Sequence, residues 1–99
     1  MLELIEVDPA ELFLPPSRAQ GADPIKLARQ IAIHGRTLDG RPPLQLTRGR
    51  DGHLRINDGV TRAVRAATLC PGYLIPAEVI EEIPNLNVTR TPQVKDVLS

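Results

Sequence analysis

Ten prolines punctuate this 99-residue chain. Proline lacks the backbone donor and breaks the element it interrupts, so the fold must be assembled from short pieces. Asp8-Pro9 closes the first piece, Leu2 to Val7, in which Leu2 and Leu4, then Ile5 and Val7, alternate with acids as in a half-buried strand. Leu12-Phe13-Leu14 reads as a short extended piece stopped by Pro15-Pro16, and Ser17 to Ala22 as loop. Asp23-Pro24 is a helix start, a capping acid followed by proline at the first helical position. Ile25, Ala28, Ile31 and Ala32 recur at helical spacing with Leu27 beside them, which predicts a helix over 23–34 with Lys26, Arg29 and Gln30 outside and Gly35 as its stop.

Arg36 to Pro43 reads as a polar loop. Leu44 to Thr47 and Leu54 to Ile56 then form the arms of a hairpin turned through Gly49 to Gly52. Asn57-Asp58-Gly59 opens a second helix, with Asn57 or Asp58 as its cap. Val60, Ala63, Val64 and Ala67 make its apolar stripe; Asp58, Thr61, Arg62 and Arg65 share the opposite face. Pro71-Gly72 ends it. Leu74 to Ile80 reads as a strand that Pro76 confines to an edge, or delays until Ala77. The order strand, helix, hairpin, helix, strand implies an α+β domain over 1–82 with a small mixed sheet and two main helices. Residues 83–99 form an extended C-terminal tail that wraps the domain, pairs with a partner, or moves freely.

Composition narrows the function. The chain has 12 basic and 12 acidic side chains, which argues against a surface built to hold duplex DNA. Phe13 and Tyr73 are its only aromatics, too few for a single-strand stacking platform. No run of 18 apolar residues offers a membrane span. The acidic start, Met1 to Pro9, does not look like a secretion leader, and the single cysteine, Cys70, permits no internal disulfide or cysteine-based zinc site. The expected compartment is the cytoplasm.

Charge is segregated along the chain. Residues 1–17 sum to −4, residues 18–65 to +6 and residues 66–99 to −2, and nine of the ten central cations are arginine. Arginine makes paired hydrogen bonds to phosphate and carboxylate, so an anion site in the middle of the chain is expected. Its place is the turn from strand Leu54–Ile56 into the second helix. Gly59 lets the backbone approach a ligand closely. The N–H groups of Val60 and Thr61 stand at the positive end of the helix dipole. Thr61 adds a hydroxyl, and Arg62 and Arg65 add charge. Asp58 has three possible tasks: capping the helix, holding Arg62, or coordinating magnesium. A helix start that merely caps itself and binds nothing accounts for the same residues.

Other titratable groups carry less. His34 falls at the end of the first helix, where the dipole favours a cation, and His53 falls in the hairpin turn. Glu11, ahead of Arg18, is a candidate acid for the cleft. Glu78, Glu81 and Glu82 read as a solvated edge, and Cys70 as a small packed residue.

The order of these pieces resembles the ParB N-terminal/sulfiredoxin-like superfamily. The matching stretches are Pro16-Ser17-Arg18, Lys26 to Ile31 with Gly35, Pro42 to Leu46, Asn57 to Ala63, and Ile75 to Ile80. Together they span about residues 2 to 80. The family's signature reads Gly-Glu-Arg-Arg in partition proteins, Gly-Cys-His-Arg in sulfiredoxins and Asp-Gly-His-His-Arg in free-serine kinases. Here it reads Asp58-Gly59-Val60-Thr61-Arg62, so Gly59 and Arg62 match all three and Asp58 the kinase form. The resemblance implies a nucleotide-phosphate pocket formed by Gly59, Thr61, Arg62 and the loop arginine Arg18, with a nucleoside triphosphate and magnesium as the ligands to test. Val60 stands where sulfiredoxins carry their nucleophilic cysteine, which speaks against sulfinic-acid reduction. It also replaces the partition proteins' glutamate, and the kinase histidines are missing.

Three functions therefore compete at this level. The first is a nucleotide- or phosphate-binding domain with weak or no catalysis. The second is an interaction or regulatory module with a vestigial cleft, pairing with another protein or a second copy through its tail. The third is a magnesium-dependent phosphotransferase or nuclease using Asp58.

Overall fold

The computed structural model describes residues 2–34 and 42–98. It is an α+β fold. Four strands, β1 (Glu3–Val7), β2 (Leu44–Arg48), β3 (Leu54–Asp58) and β4 (Ile75–Glu82), form one sheet in the order β1-β4-β2-β3. β1 runs antiparallel to β4, β2 antiparallel to β3, and β2 parallel to β4, so the sheet is mixed. Two helices, α1 (Pro24–His34) and α2 (Val60–Leu69), complete the main elements. The expected helix start is in place: Asp23 Oδ1 accepts from the backbone N–H of Ile25 at 2.8 Å and of Lys26 at 3.4 Å. Gly35 and the expected loop from Arg36 lie outside the described residues as far as Arg41.

The core forms where α2 lies on one face of the sheet. Ala63, Ala66 and Ala67 are buried on α2, and their small side chains let the helix sit close to Leu44, Leu46, Ile56, Ile75 and Ala77. Leu12 and Leu14 fill one side. The segment around Phe13 hydrogen-bonds along the β3 edge, Phe13 N–H to the Leu54 carbonyl at 2.9 Å and Ile56 N–H to the Phe13 carbonyl at 3.0 Å.

The structure departs from the sequence expectations in three places. First, β4 is a central strand. Pro76 is accommodated because the β2 ladder begins only at Leu44 and Ala77; Pro76 itself lies opposite Glu6 of β1 alone. Second, only one of the two apolar sets of β1 is used. Ile5 and Val7 turn towards the core, whereas Leu4 is 70% exposed. Third, α1 is turned from its expected orientation. Leu27, Gln30 and Ile31 are half-buried, whereas Ile25, Ala28 and Ala32 are exposed, because α1 packs mainly on α2 and covers little of the sheet. Of the three courses left open for the tail, it takes the first and wraps the domain. Short 3-10 turns at Val88–Arg90 and Val94–Val97 bring Val88 and Val94 into burial. Backbone bonds from Leu14 N–H to Pro92 and from Val94 N–H to Leu12 hold the tail beside the N-terminal segment, and Lys95 pairs with Glu11 at 3.2 Å.

Two polar clusters tie the strands together. The Arg48 guanidinium on β2 reaches Glu3 on β1 and Glu82 on β4, each at 2.7 Å, and so spans the intervening strand. Glu3 is held below its ordinary carboxylate range, chiefly by its hydrogen bond from Arg48, and Arg48 is correspondingly raised. Asp23 is lowered by the two N–H groups it caps. On β2, fully buried Thr47 has its hydroxyl 2.9 Å from Asn57 Oδ1 on β3 and 2.9 Å from Glu81 Oε1 on β4.

A carboxylate whose folded pKa is lowered stabilises the fold above its unfolded value, and the gain is lost as pH falls through the folded one. Urea midpoints should therefore fall as pH drops from about 5 downward, and Arg48→Met should remove the Glu3 share of that fall. Thr47→Val keeps the shape but strands two partners. It should cost about 1 kcal/mol in urea unfolding, with the m-value unchanged.

Candidate functional site

The turn from β3 into α2 is built differently from its sequence reading. β3 continues to Asp58, which pairs with Gln45, so neither Asn57 nor Asp58 caps the helix. Gly59 is the N-cap residue, at φ 105° and ψ 23° in the left-handed region, and among the described residues no side chain hydrogen-bonds the first-turn N–H groups. The N–H groups of the first turn have no intrahelical acceptors, so they face the space in front of α2. A Cβ on Gly59 would stand 2.4 Å from Leu44 Cδ2 and 3.2 Å from an Arg62 guanidinium nitrogen. Glycine is required here both by conformation and by space.

A cleft of about 350 Å3 opens at this turn. Arg18, Asp58, Gly59, Thr61 and Arg62 all line it, five of the six residues singled out from the sequence. Arg18 arrives on the short 3-10 turn Pro16–Arg18. Lys26 and Gln30, from adjacent turns of α1, form the opposite wall. Sequence reasoning assigned both to the solvent side. Their separation of four places them together on one helical face, and the half-burial of Gln30 is what sequence alone could not show.

Arg62 is a structural strut as well as a cleft residue. Its guanidinium lies against Gly59, pairs with Asp58 at 3.8 Å and donates to the Pro42 carbonyl. Asp58 is the exposed partner, with 73% of its side chain in solvent against 13% for Arg62. Arg18, Lys26 and Arg62 against Asp58 leave the wall of the cleft net positive.

Arg65 is not in this cleft. It is 1% exposed, buried with the alanines of α2, and lines a second cavity of about 30 Å3 with Pro42, Leu44, Arg62, Ala66, Ile75 and Pro76, so that Arg62 stands between the two. The shared helical face with Arg62 was read correctly, but α2 is covered by neighbours beyond its apolar stripe, so Arg65 is enclosed. Glu11, the candidate acid, lies elsewhere, against Gln93 and Lys95 of the tail. His53 is exposed, with its ring edge-on to Phe13 at 5.5 Å and Nδ1 3.0 Å from the Arg50 carbonyl. His34 ends α1. Cys70 is half-buried at the end of α2. Among the described residues, no three His, Cys, Asp or Glu side chains are grouped to hold a metal ion, and no helix is long and apolar enough to cross a membrane.

No family model, no curated protein and no solved structure matches the chain.

The turn is the most sensitive point of the site. Gly59→Ala forces a side chain into a positive φ and against Leu44. Thermal or urea unfolding should report a loss of about 1–3 kcal/mol, whereas Ala at Gly52, which has a positive φ but open space, should cost less.

Proposed function

We propose that the chain is a small ParB/sulfiredoxin-like domain that binds a phosphate-bearing anion, a nucleotide foremost, at the start of α2, with weak or no catalysis. One observation carries this reading: an uncapped helix start at a left-handed glycine, faced by Arg18 and Lys26 from two other segments. An anion there accepts from the N–H groups of Val60 and Thr61 and neutralises the cationic wall. Thr61, half-buried in the same wall, adds a hydroxyl donor. Arg62 would contribute charge while its bond to Pro42 keeps the rim in place.

The residues present suit binding better than turnover. Val60 is a buried aliphatic side chain at the position where the resembling redox enzymes place a nucleophile. Among the described residues, Asp58 is the one carboxylate lining the cleft, and it is paired with Arg62. A magnesium-dependent reaction would run through Asp58 and makes the opposite prediction for its removal.

Thermal-shift and calorimetric titration with CTP, ATP, pyrophosphate and sulfate, with and without magnesium, test this reading. A ligand at about 100 times its Kd adds about 2.7 kcal/mol, a shift of several degrees for a domain this small. Arg18→Ala should abolish the shift without lowering the Tm of the ligand-free protein. Asp58→Asn should preserve or strengthen binding, because it removes a negative charge from the wall; loss of binding would favour the magnesium reading. A flat response to every ligand at millimolar concentration would overturn the proposal.

A further inference from the structure

α2 covers one face of the sheet; the opposite face is exposed along β1 and closed over Thr47 of β2. On this opposite face, Leu2 and Leu4 on the β1 side and Ile80 on β4 are exposed, with Leu4 directly opposite Glu78 in the ladder and Glu6 opposite Pro76. This patch is apolar and acidic. α1 presents the converse. Its outer side carries Ile25, 70% exposed, and Ile33, 68% exposed, with the exposed alanines 28 and 32 between them. Arg29 stands midway between the two isoleucines and Lys26 beside the first, so this patch is apolar and basic.

We propose that these two patches bind each other between copies of the chain, the outer side of α1 seating on the exposed β1 side of the sheet of the next molecule. Three observations support this pairing. The charges are complementary, whereas α1 against α1 would oppose Arg29 and Lys26 to themselves, and sheet against sheet would oppose Glu6 and Glu78. The dimensions agree: an 11-residue helix is about 16 Å long and a five-residue strand about 17 Å. Both patches expose large aliphatic side chains that the chain's own core leaves uncovered.

The symmetry of the assembly follows from where the patches lie. α1 packs on α2, and α2 covers the face of the sheet opposite to the one exposed along β1. The two patches lie on different elements and differ in charge, so each copy offers one to each neighbour. The contact is head-to-tail, and it extends instead of closing into a dimer. It shares Lys26 with the anion cleft and leaves the rest of that cleft out of the contact, so Arg29→Glu and Glu78→Arg test the assembly separately from the function proposed above.

Sedimentation equilibrium from micromolar to millimolar protein tests the proposal. At low salt the weight-average mass should climb with concentration beyond that of two 10.8 kDa chains, and it should fall back as salt screens the charges. Glu78→Arg alone and Arg29→Glu alone should each remain monomeric under the same conditions. An equimolar mixture of these two variants should associate again, because each supplies the charge the other has lost. Far-UV circular dichroism confirms that each variant is folded; if either is not, Glu6→Arg and Lys26→Glu take their places. A wild-type mass that stays at one chain, a plateau at a closed dimer, association that survives both charge reversals, or a mixture that stays monomeric would each overturn it.

Discussion

The close seating of α2 on the sheet is the constraint from which the rest of this structure follows. Ala63, Ala66 and Ala67 of that helix share the core with side chains of β2 and β4, and the strand that feeds it, β3, lies at the sheet's margin. The chain must therefore turn sharply at one residue to pass from β3 onto the sheet's face. Gly59 makes that turn, against Leu44, with no side chain between them. A side chain here would meet the Leu44 Cδ2 atom and hold a strained positive φ. The uncapped first turn, the position of Asp58 on the strand and the reach of Arg62 to the Pro42 carbonyl all derive from this single packing requirement.

That geometry also explains how a chain without net charge can present a positive cleft. The acids are drawn into pairings elsewhere: Glu3 and Glu82 on Arg48, Glu11 on Lys95, Glu81 on Thr47. Surface pairs of this kind add little to stability. Their larger effect here is on distribution, since they leave Arg18, Lys26 and Arg62 facing a common space with one carboxylate among them.

Much of the local structure was legible because local chemistry determines it. Asp23-Pro24 starts α1 through its own side-chain bonds, and the passage from strand into helix at Asn57-Asp58-Gly59 follows from residue type and spacing. What escaped was everything decided by coverage from a distance. A helical wheel shows that Arg62 and Arg65 share a side, but not that neighbouring segments enclose one of them. α1 carries apolar residues on two sides, and sequence offers no ground for choosing Leu27 and Ile31 over Ile25 and Ala28. β1 poses the same choice between Leu2 with Leu4 and Ile5 with Val7. Pro76 argues for an edge until its place before the β2 ladder is known. For the cleft, the strand-to-helix wall was legible, whereas Lys26 and Gln30 depend on how α1 lies across α2.

The burial of Val94 beside Leu12 bears on how the chain reaches this state. These residues are neighbours in space and nearly the whole chain apart in sequence. During synthesis, Leu12 and Leu14 leave the ribosome well before Val94 and have no complete binding partner until the turn Val94–Val97 follows. The sheet is likewise unfinished until β4 inserts between β1 and β2. Such long-range closure slows folding, because the entropy of a large loop must be spent before any contact repays it. The nascent chain thus carries an exposed aliphatic seam until the segment around Val94 emerges, and that segment acts as the latch that ends this exposure.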